Sequence, residues 1–124
     1  MMPTVLVVDD AVFMRATIKR MLENHQFEII GEAANGKEAI EKYRELLPDV
    51  VTMDITMPGM TGIEAVKAIT SEFPEAKIVM VTALGQQKLI VEAIESGAKD
   101  FITKPFNPEQ IIQVLQNVTN WNEI

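Results

Sequence analysis

Apolar and polar positions along the chain alternate between two periods. Residues 4–8, Thr-Val-Leu-Val-Val, form a β-branched apolar run of the kind expected for a strand covered on both faces. Asp9-Asp10 ends it. Val12, Met14, Ile18, Met21 and Leu22 then recur at helical spacing, with Arg15, Lys19, Arg20 and Glu23 between them. Residues 27–33 predict a second strand, interrupted by Glu28 and Glu32. Asn35-Gly36 opens a helix carrying Ala39, Ile40, Tyr43, Leu46 and Leu47, and Pro48-Asp49 stops it. The third strand, residues 50–53, runs into Asp54. A third helix spans 61–73, with Ile63, Val66 and Ile69 inward and Pro74 at its end. Residues 78–81 make a fourth strand stopping at Thr82, and 86–96 a fourth helix with Gly97 as its cap. Residues 101–103 make a short fifth strand. Asn107 as cap and Pro108 at the first helical position start a last helix carrying Ile111, Ile112, Val114, Leu115 and Val118.

Five strand–helix pairs in strict alternation, joined by short links, predict an α/β fold. Such a chain makes a five-stranded parallel sheet, doubly wound by right-handed crossovers so that helices cover both faces. Its 124 residues suit one core, so residues 1–124 are read as a single domain. No apolar run approaches the roughly 20 residues that span a bilayer, and no basic-then-apolar leader opens the chain. The expected place is the cytoplasm, with no membrane contact. The absence of cysteine excludes disulfides, thiolate metal sites and cysteine nucleophiles. A formal net charge of −7 disfavours a nucleic-acid surface. The only histidine, His25, falls in a helix-to-strand link and is expected at the surface rather than as a phosphoacceptor.

Parallel strands share one carboxyl edge, where open α/β sheets bind ligands. Four strand ends here carry Asp9-Asp10, Asp54, Thr82 and Lys104-Pro105. Two unit charges about 4 Å apart repel by roughly 1 kcal/mol in water and about 4 kcal/mol at an effective dielectric of 20. Three such acids persist together only if a cation, a lysine or a proton offsets them. Carboxylates without histidine or thiol partners suit a hard ion, Mg²⁺ or Mn²⁺. Lys104 and Thr82 offer a point charge and a hydroxyl to phosphoryl oxygens. The set suits phosphoryl transfer with one carboxylate as nucleophile. Asp54 is the candidate, because it stands alone at the end of a central strand while Asp9 and Asp10 form a metal-suited pair. Each group alone has a plainer reading: Asp-Asp and Thr82 as helix caps, Lys104 as a surface turn residue. Their joint arrival at four strand ends favours the site.

These residues resemble the receiver domains of two-component response regulators over nearly the whole chain. The likeness rests on Asp9-Asp10, on Asp54 within Met53-Asp54-Ile55-Thr56-Met57-Pro58-Gly59, on Thr82-Ala83 and on Lys104-Pro105-Phe106. The stretches from Asp9 to Arg15, from Leu84 to Gln87 and from Gly97 to Phe101 look most like stand-alone chemotaxis regulators. The resemblance implies a flavodoxin-like strand order 2-1-3-4-5. It implies that Asp54 accepts a phosphoryl group from the phosphohistidine of a sensor histidine kinase. Mg²⁺, replaceable by Mn²⁺, would be held by Asp10, Asp54 and the Thr56 backbone carbonyl, with Asp9 assisting through water. Lys104 would contact the phosphoryl group, Thr82 would move to hydrogen-bond it, and Phe101 would follow inward. A cis Lys104–Pro105 bond is implied as well. The chain would be a monomeric phosphoacceptor rather than an enzyme. It would bind a downstream protein, such as the flagellar switch, through residues 88–106.

Some positions depart from the family pattern. Phe101 lacks the hydroxyl of the tyrosine in enteric relatives, Thr61 replaces a frequent acid or Asn, and Leu84 replaces the usual Met. Thr56 and Leu84 flank the phosphoryl site in this family and tune dephosphorylation. Other readings compete. A phosphorelay intermediate fits the same residues. A receiver cut from a transcription factor is disfavoured by the short tail and the acidic charge. A phosphohydrolase of the haloacid dehalogenase type needs Asp-x-Asp after the first strand, which Asp9-Asp10-Ala11-Val12 lacks. An FMN protein of flavodoxin type needs a hydroxyl- and glycine-rich loop there. Met57 and Met60 are expected to pack the loop, and Trp121 to anchor the carboxyl-terminal end.

Overall fold

The computed structural model describes residues 2–121. Five strands, β1 (Thr4–Val8), β2 (Glu28–Ala33), β3 (Val50–Asp54), β4 (Ile78–Thr82) and β5 (Asp100–Thr103), form one parallel sheet in the order β2-β1-β3-β4-β5. They alternate with α1 (Val12–Leu22), α2 (Gly36–Leu46), α3 (Gly62–Glu72), α4 (Gln87–Glu95) and α5 (Pro108–Thr119). The expected doubly wound fold is therefore present, with the expected strand order. That order reverses between β1 and β3, and open sheets of this kind bind ligands at the carboxyl ends there.

Alternation along the strands divides the core in two. Leu6, Val8, Val51, Met53, Ile78 and Met80 pack under α2, α3 and α4 with Tyr43, Val66, Ile69 and Ala93. Val5, Val7, Val50, Val79 and Val81 face α1 and α5 with Ile18, Leu22, Ile111 and Leu115. Both faces are apolar, so the central strands read as continuous runs rather than as alternating ones. Among the described residues no helix is long and apolar enough to cross a membrane.

The ends of elements refine the predicted bounds. β3 extends to include Asp54. Thr61 is the cap of α3 rather than its first turn. Its hydroxyl accepts from the Glu64 N–H at 3.2 Å, and Glu64 accepts from the Thr61 N–H at 3.0 Å. This capping box pins the start of α3 just beyond Asp54. Gly97 follows α4 at φ 122°, its N–H on Ile94 and that of Ala98 on Ala93, the Schellman pattern. Two positions assigned to helices by their spacing, Val12 and Leu47, do not face the core. Val12 is 70% exposed because the first turn of α1 stands beyond the sheet's edge, and Leu47 is 59% exposed as the left-handed cap residue of α2. Met57 is buried and Met60 packs against the same core, as expected of loop packing. Trp121 packs, half-buried, on the α1/α5 core. His25 is half-buried rather than plainly at the surface, with its backbone N–H on the Leu22 carbonyl at 3.1 Å.

Candidate functional site

Parallel pairing sets Val8 beside Met53, so the next residues, Asp9 and Asp54, emerge side by side at the switch point. Asp9 is almost fully buried (1% exposed), and its Oδ1 accepts from the Ala11 N–H at 2.9 Å. Its Oδ2 is buried and has no hydrogen-bond partner. Asp54 is also buried, whereas Asp10 is exposed. One oxygen from each of the three carboxylates lies within 4.8 Å of the others.

Lys104 enters from the loop after β5. Its Nζ stands 3.7 Å from Asp9 Oδ2 and 3.7 Å from Asp54 Oδ2, an ion pair with both but too far for a hydrogen bond. Lys104 is placed by the sheet itself: its N–H donates to the Thr82 carbonyl at 2.7 Å, and the Lys104–Pro105 peptide is cis. A single ammonium shared by two carboxylates leaves the cluster short of positive charge. Burial pushes Asp54 up to about 6, helped by the Asp9 charge and opposed by Lys104 and the Thr56 backbone. Burial is also the first cause raising Asp9, against its hydrogen bond from Ala11.

The donor set is all oxygen, and one buried carboxylate oxygen lacks a hydrogen-bond partner. Both features suit a hard divalent ion. Asp9, Asp10 and Asp54 are therefore the residues that could hold Mg²⁺. Thr56 lies exposed in the loop two residues beyond Asp54, within reach of the same edge.

Two predicted switch residues point elsewhere. Thr82 is fully buried at the end of β4, but its hydroxyl donates to Gln86 Oε1 rather than towards Asp54. Phe101 on β5 pairs with Met80 of β4 and is 40% exposed, outside the carboxylate cluster. Leu84 is exposed in the loop after β4.

Four residues to which the sequence assigned no role at the site, Arg15, Lys19, Gly62 and Gln86, also shape it. Arg15 Nη1 donates to the Asp9 carbonyl at 2.6 Å, while its Nε meets Glu32 at 3.0 Å. Lys19 bonds the same Glu32 at 2.7 Å and, with Arg15, holds it below the usual carboxylate range. This network braces the backbone of Asp9 from α1 and β2. Gly62 passes so close to β3 that a β-carbon there would sit 2.2 Å from the Asp54 carbonyl oxygen. Gln86 joins Thr82 to Thr56. A charged side chain at helical spacing, a Thr-Gly pair and a polar residue before a helix were the only signals, and each has commoner meanings.

The raised Asp54 makes a signed prediction. The unfolded carboxyl titrates near 3.8 and the folded one near 6, so the folded state holds the proton more tightly between them. Stability from this group is present below about 3.8 and is lost as pH rises through about 6. Asp54→Asn should therefore stabilise the metal-free protein at pH 8 by about 1–3 kcal/mol. The gain should shrink towards zero near pH 4, as read from urea unfolding in EDTA. An equal gain at both pH values would contradict the assignment of the burden to this carboxylate.

Comparison with known proteins agrees with the fold and its sheet order. Residues 5–116 match the family model described as the response regulator receiver domain. The chain is 54% identical over 115 residues to the chemotaxis protein CheY of Thermotoga maritima, covering 93% of this chain and 96% of that one. It is 49% identical over 116 residues to the chemotaxis protein CheY of Bacillus subtilis, covering 94% and 97%. A chain in the crystal structure of a CheX–CheY–BeF3–Mg²⁺ complex from Borrelia burgdorferi superposes with a TM-score of 0.88 at 38% identity, covering 93% of this chain and 87% of that one.

Proposed function

The chain belongs to the response regulator receiver domain family, and from that premise we propose that Asp54 is the phosphoacceptor of a signalling switch. The observation that supports this most is the shared lysine: Lys104 Nζ lies 3.7 Å from both Asp9 and Asp54, beside a buried carboxylate oxygen with no hydrogen-bond partner. The arrangement leaves room for positive charge and for phosphoryl oxygens.

In the proposed reaction an Asp54 carboxylate oxygen attacks the phosphorus of a phosphohistidine. The new O–P bond forms as the P–N bond breaks, and the imidazole leaves with the electron pair and takes a proton. Asp9, Asp10 and Asp54, with the Thr56 carbonyl, would hold Mg²⁺. The ion supplies charge neutralisation to the transferring phosphoryl oxygens. Lys104 turns from the two carboxylates to a phosphoryl oxygen as charge builds there. A cation held by these carboxylates would favour the ionised, nucleophilic form of Asp54.

Phosphorylation adds about −1.5 to −2 charges and strong acceptor oxygens. That is enough to draw the Thr82 hydroxyl away from Gln86 and to bias an existing two-state equilibrium. Phe101, exposed on β5, would follow inward, and α4, β5 and α5 form the readout face. The donor is a sensor histidine kinase, and the downstream target is a chemotaxis protein, by likeness to the CheY relatives. The chain works in the cytoplasm as a phosphoacceptor rather than as an enzyme.

The test is incubation with acetyl phosphate, followed by intact mass. One phosphoryl group should be incorporated with Mg²⁺ and none with EDTA. Unchanged labelling in Asp54→Asn would refute the assignment.

A further inference from the structure

Gln86 occupies the cap position of α4, yet its side chain makes no capping bond to that helix. It reaches across the strand ends instead. Its Oε1 accepts from the Thr82 hydroxyl and from the Ala83 N–H at 2.8 Å, and its Nε2 donates to the Thr56 hydroxyl at 3.1 Å. The Ala83 N–H fixes the sense of the amide. A backbone N–H only donates, so the amide oxygen must face it and the NH₂ must face Thr56.

The Thr82 hydroxyl carries a single proton. It cannot serve Gln86 and a phosphoryl oxygen on Asp54 at once. The same glutamine ties the loop after β3, through Thr56, to the loop after β4, through Ala83. The loops after β3 and β4 are thus joined by one side chain.

We infer that Gln86 is a positioning residue, a latch that keeps the Thr82 hydroxyl turned from Asp54 until a phosphoryl oxygen competes for its proton. This rests on Asp54 being the phosphoacceptor. A charged phosphoryl oxygen is a stronger acceptor than a neutral amide, so the exchange runs towards the phosphoryl group. The latch sets how much of that advantage is spent on release. Gln86 keeps its Ala83 partner after release, so the latch can re-form when the phosphoryl group leaves.

Gln86→Met preserves length and removes both hydrogen-bonding ends. Losing one neutral hydrogen bond from the resting state should tighten binding of a phosphoryl mimic about five-fold. The experiment titrates Mg²⁺-saturated protein with beryllium fluoride, read by the amide resonances of Thr82 and Phe101. It uses wild type, Gln86→Met, Thr82→Val and the double variant, with Gln86→Ala as a control. The latch predicts about five-fold tighter binding in Gln86→Met and no further change when Gln86→Met is added to Thr82→Val. Gln86→Ala should change affinity in the same direction, which guards against an effect peculiar to methionine. Unchanged or weaker binding in Gln86→Met, or an equal gain with and without the Thr82 hydroxyl, overturns the latch and leaves Gln86 a structural residue of α4. Failure of the wild type itself to bind beryllium fluoride overturns the phosphoryl-site reading, and the latch with it.

Discussion

Gly62→Ala is expected to destabilise the protein by about 3 kcal/mol or more, although it adds only one methyl group and alanine is the better helix former. The new β-carbon would lie 2.2 Å from the Asp54 carbonyl oxygen and 3.0 Å from the Asp54 carbonyl carbon and Ile55 Cα. All three neighbours are backbone of the central strand or its exit, so none can swing aside. The Gly62 N–H also donates to the Ile55 carbonyl at 2.8 Å, fastening the first turn of α3 to that exit. Either α3 lifts or the end of β3 shifts, and the capping box of Thr61 and Glu64 is strained in both cases. Gly59 provides the control. It needs a positive φ of 74°, but a β-carbon there meets nothing within 4 Å, so Gly59→Ala should lose only about 1 kcal/mol. Urea unfolding of both variants reads the difference. A loss below 1 kcal/mol in Gly62→Ala would mean that the close approach is not a constraint. Because the moved atoms belong to Asp54, the same variant should bind Mg²⁺ more weakly.

The double variant Asp9→Asn, Asp10→Asn should lose on the order of 100-fold in Mg²⁺ affinity, about 1.4 kcal/mol for each charge removed. In the absence of the ion it should be more stable than wild type. Burial weighs against the ionised form of Asp9, whose Oδ2 has no hydrogen-bond partner, and Lys104 then serves Asp54 alone. Opposite signs of affinity and stability are the signature of a cation site. A pair of helix caps would lose stability on substitution and leave ion binding unchanged. Isothermal titration with Mg²⁺ and unfolding in EDTA measure the two signs. Loss of stability with unaltered Mg²⁺ affinity would show that Asp9 and Asp10 are structural.

The strands and their ends were legible because a parallel sheet buried on both faces leaves unbroken β-branched runs. Such runs end abruptly at polar residues. Asp9, Asp54, Thr82 and Lys104 could be grouped from the chain alone, since parallel strands end on one edge. Which strands are neighbours is not written in periodicity; the order came from likeness to the receiver pattern. Exposure at Val12 and Leu47 was not legible either, because helical spacing does not say where the sheet stops. Gly62 and Gln86 were hidden for a different reason. Their roles arise from contacts with Asp54 and with Thr82 and Thr56, which only the folded chain brings near. That Asp9 Oδ2 is buried without a hydrogen-bond partner is a fact of packing that no motif encodes.

The central claim is that Asp54 carries the phosphoryl group. Protein phosphorylated with acetyl phosphate and Mg²⁺, reduced with borohydride and digested, converts an aspartyl phosphate to homoserine at the modified position. Peptide mass spectrometry should find homoserine at position 54 and aspartate retained at Asp9 and Asp10. Homoserine at position 9 or 10 in its place, or a phosphoryl group on His25, would contradict the account.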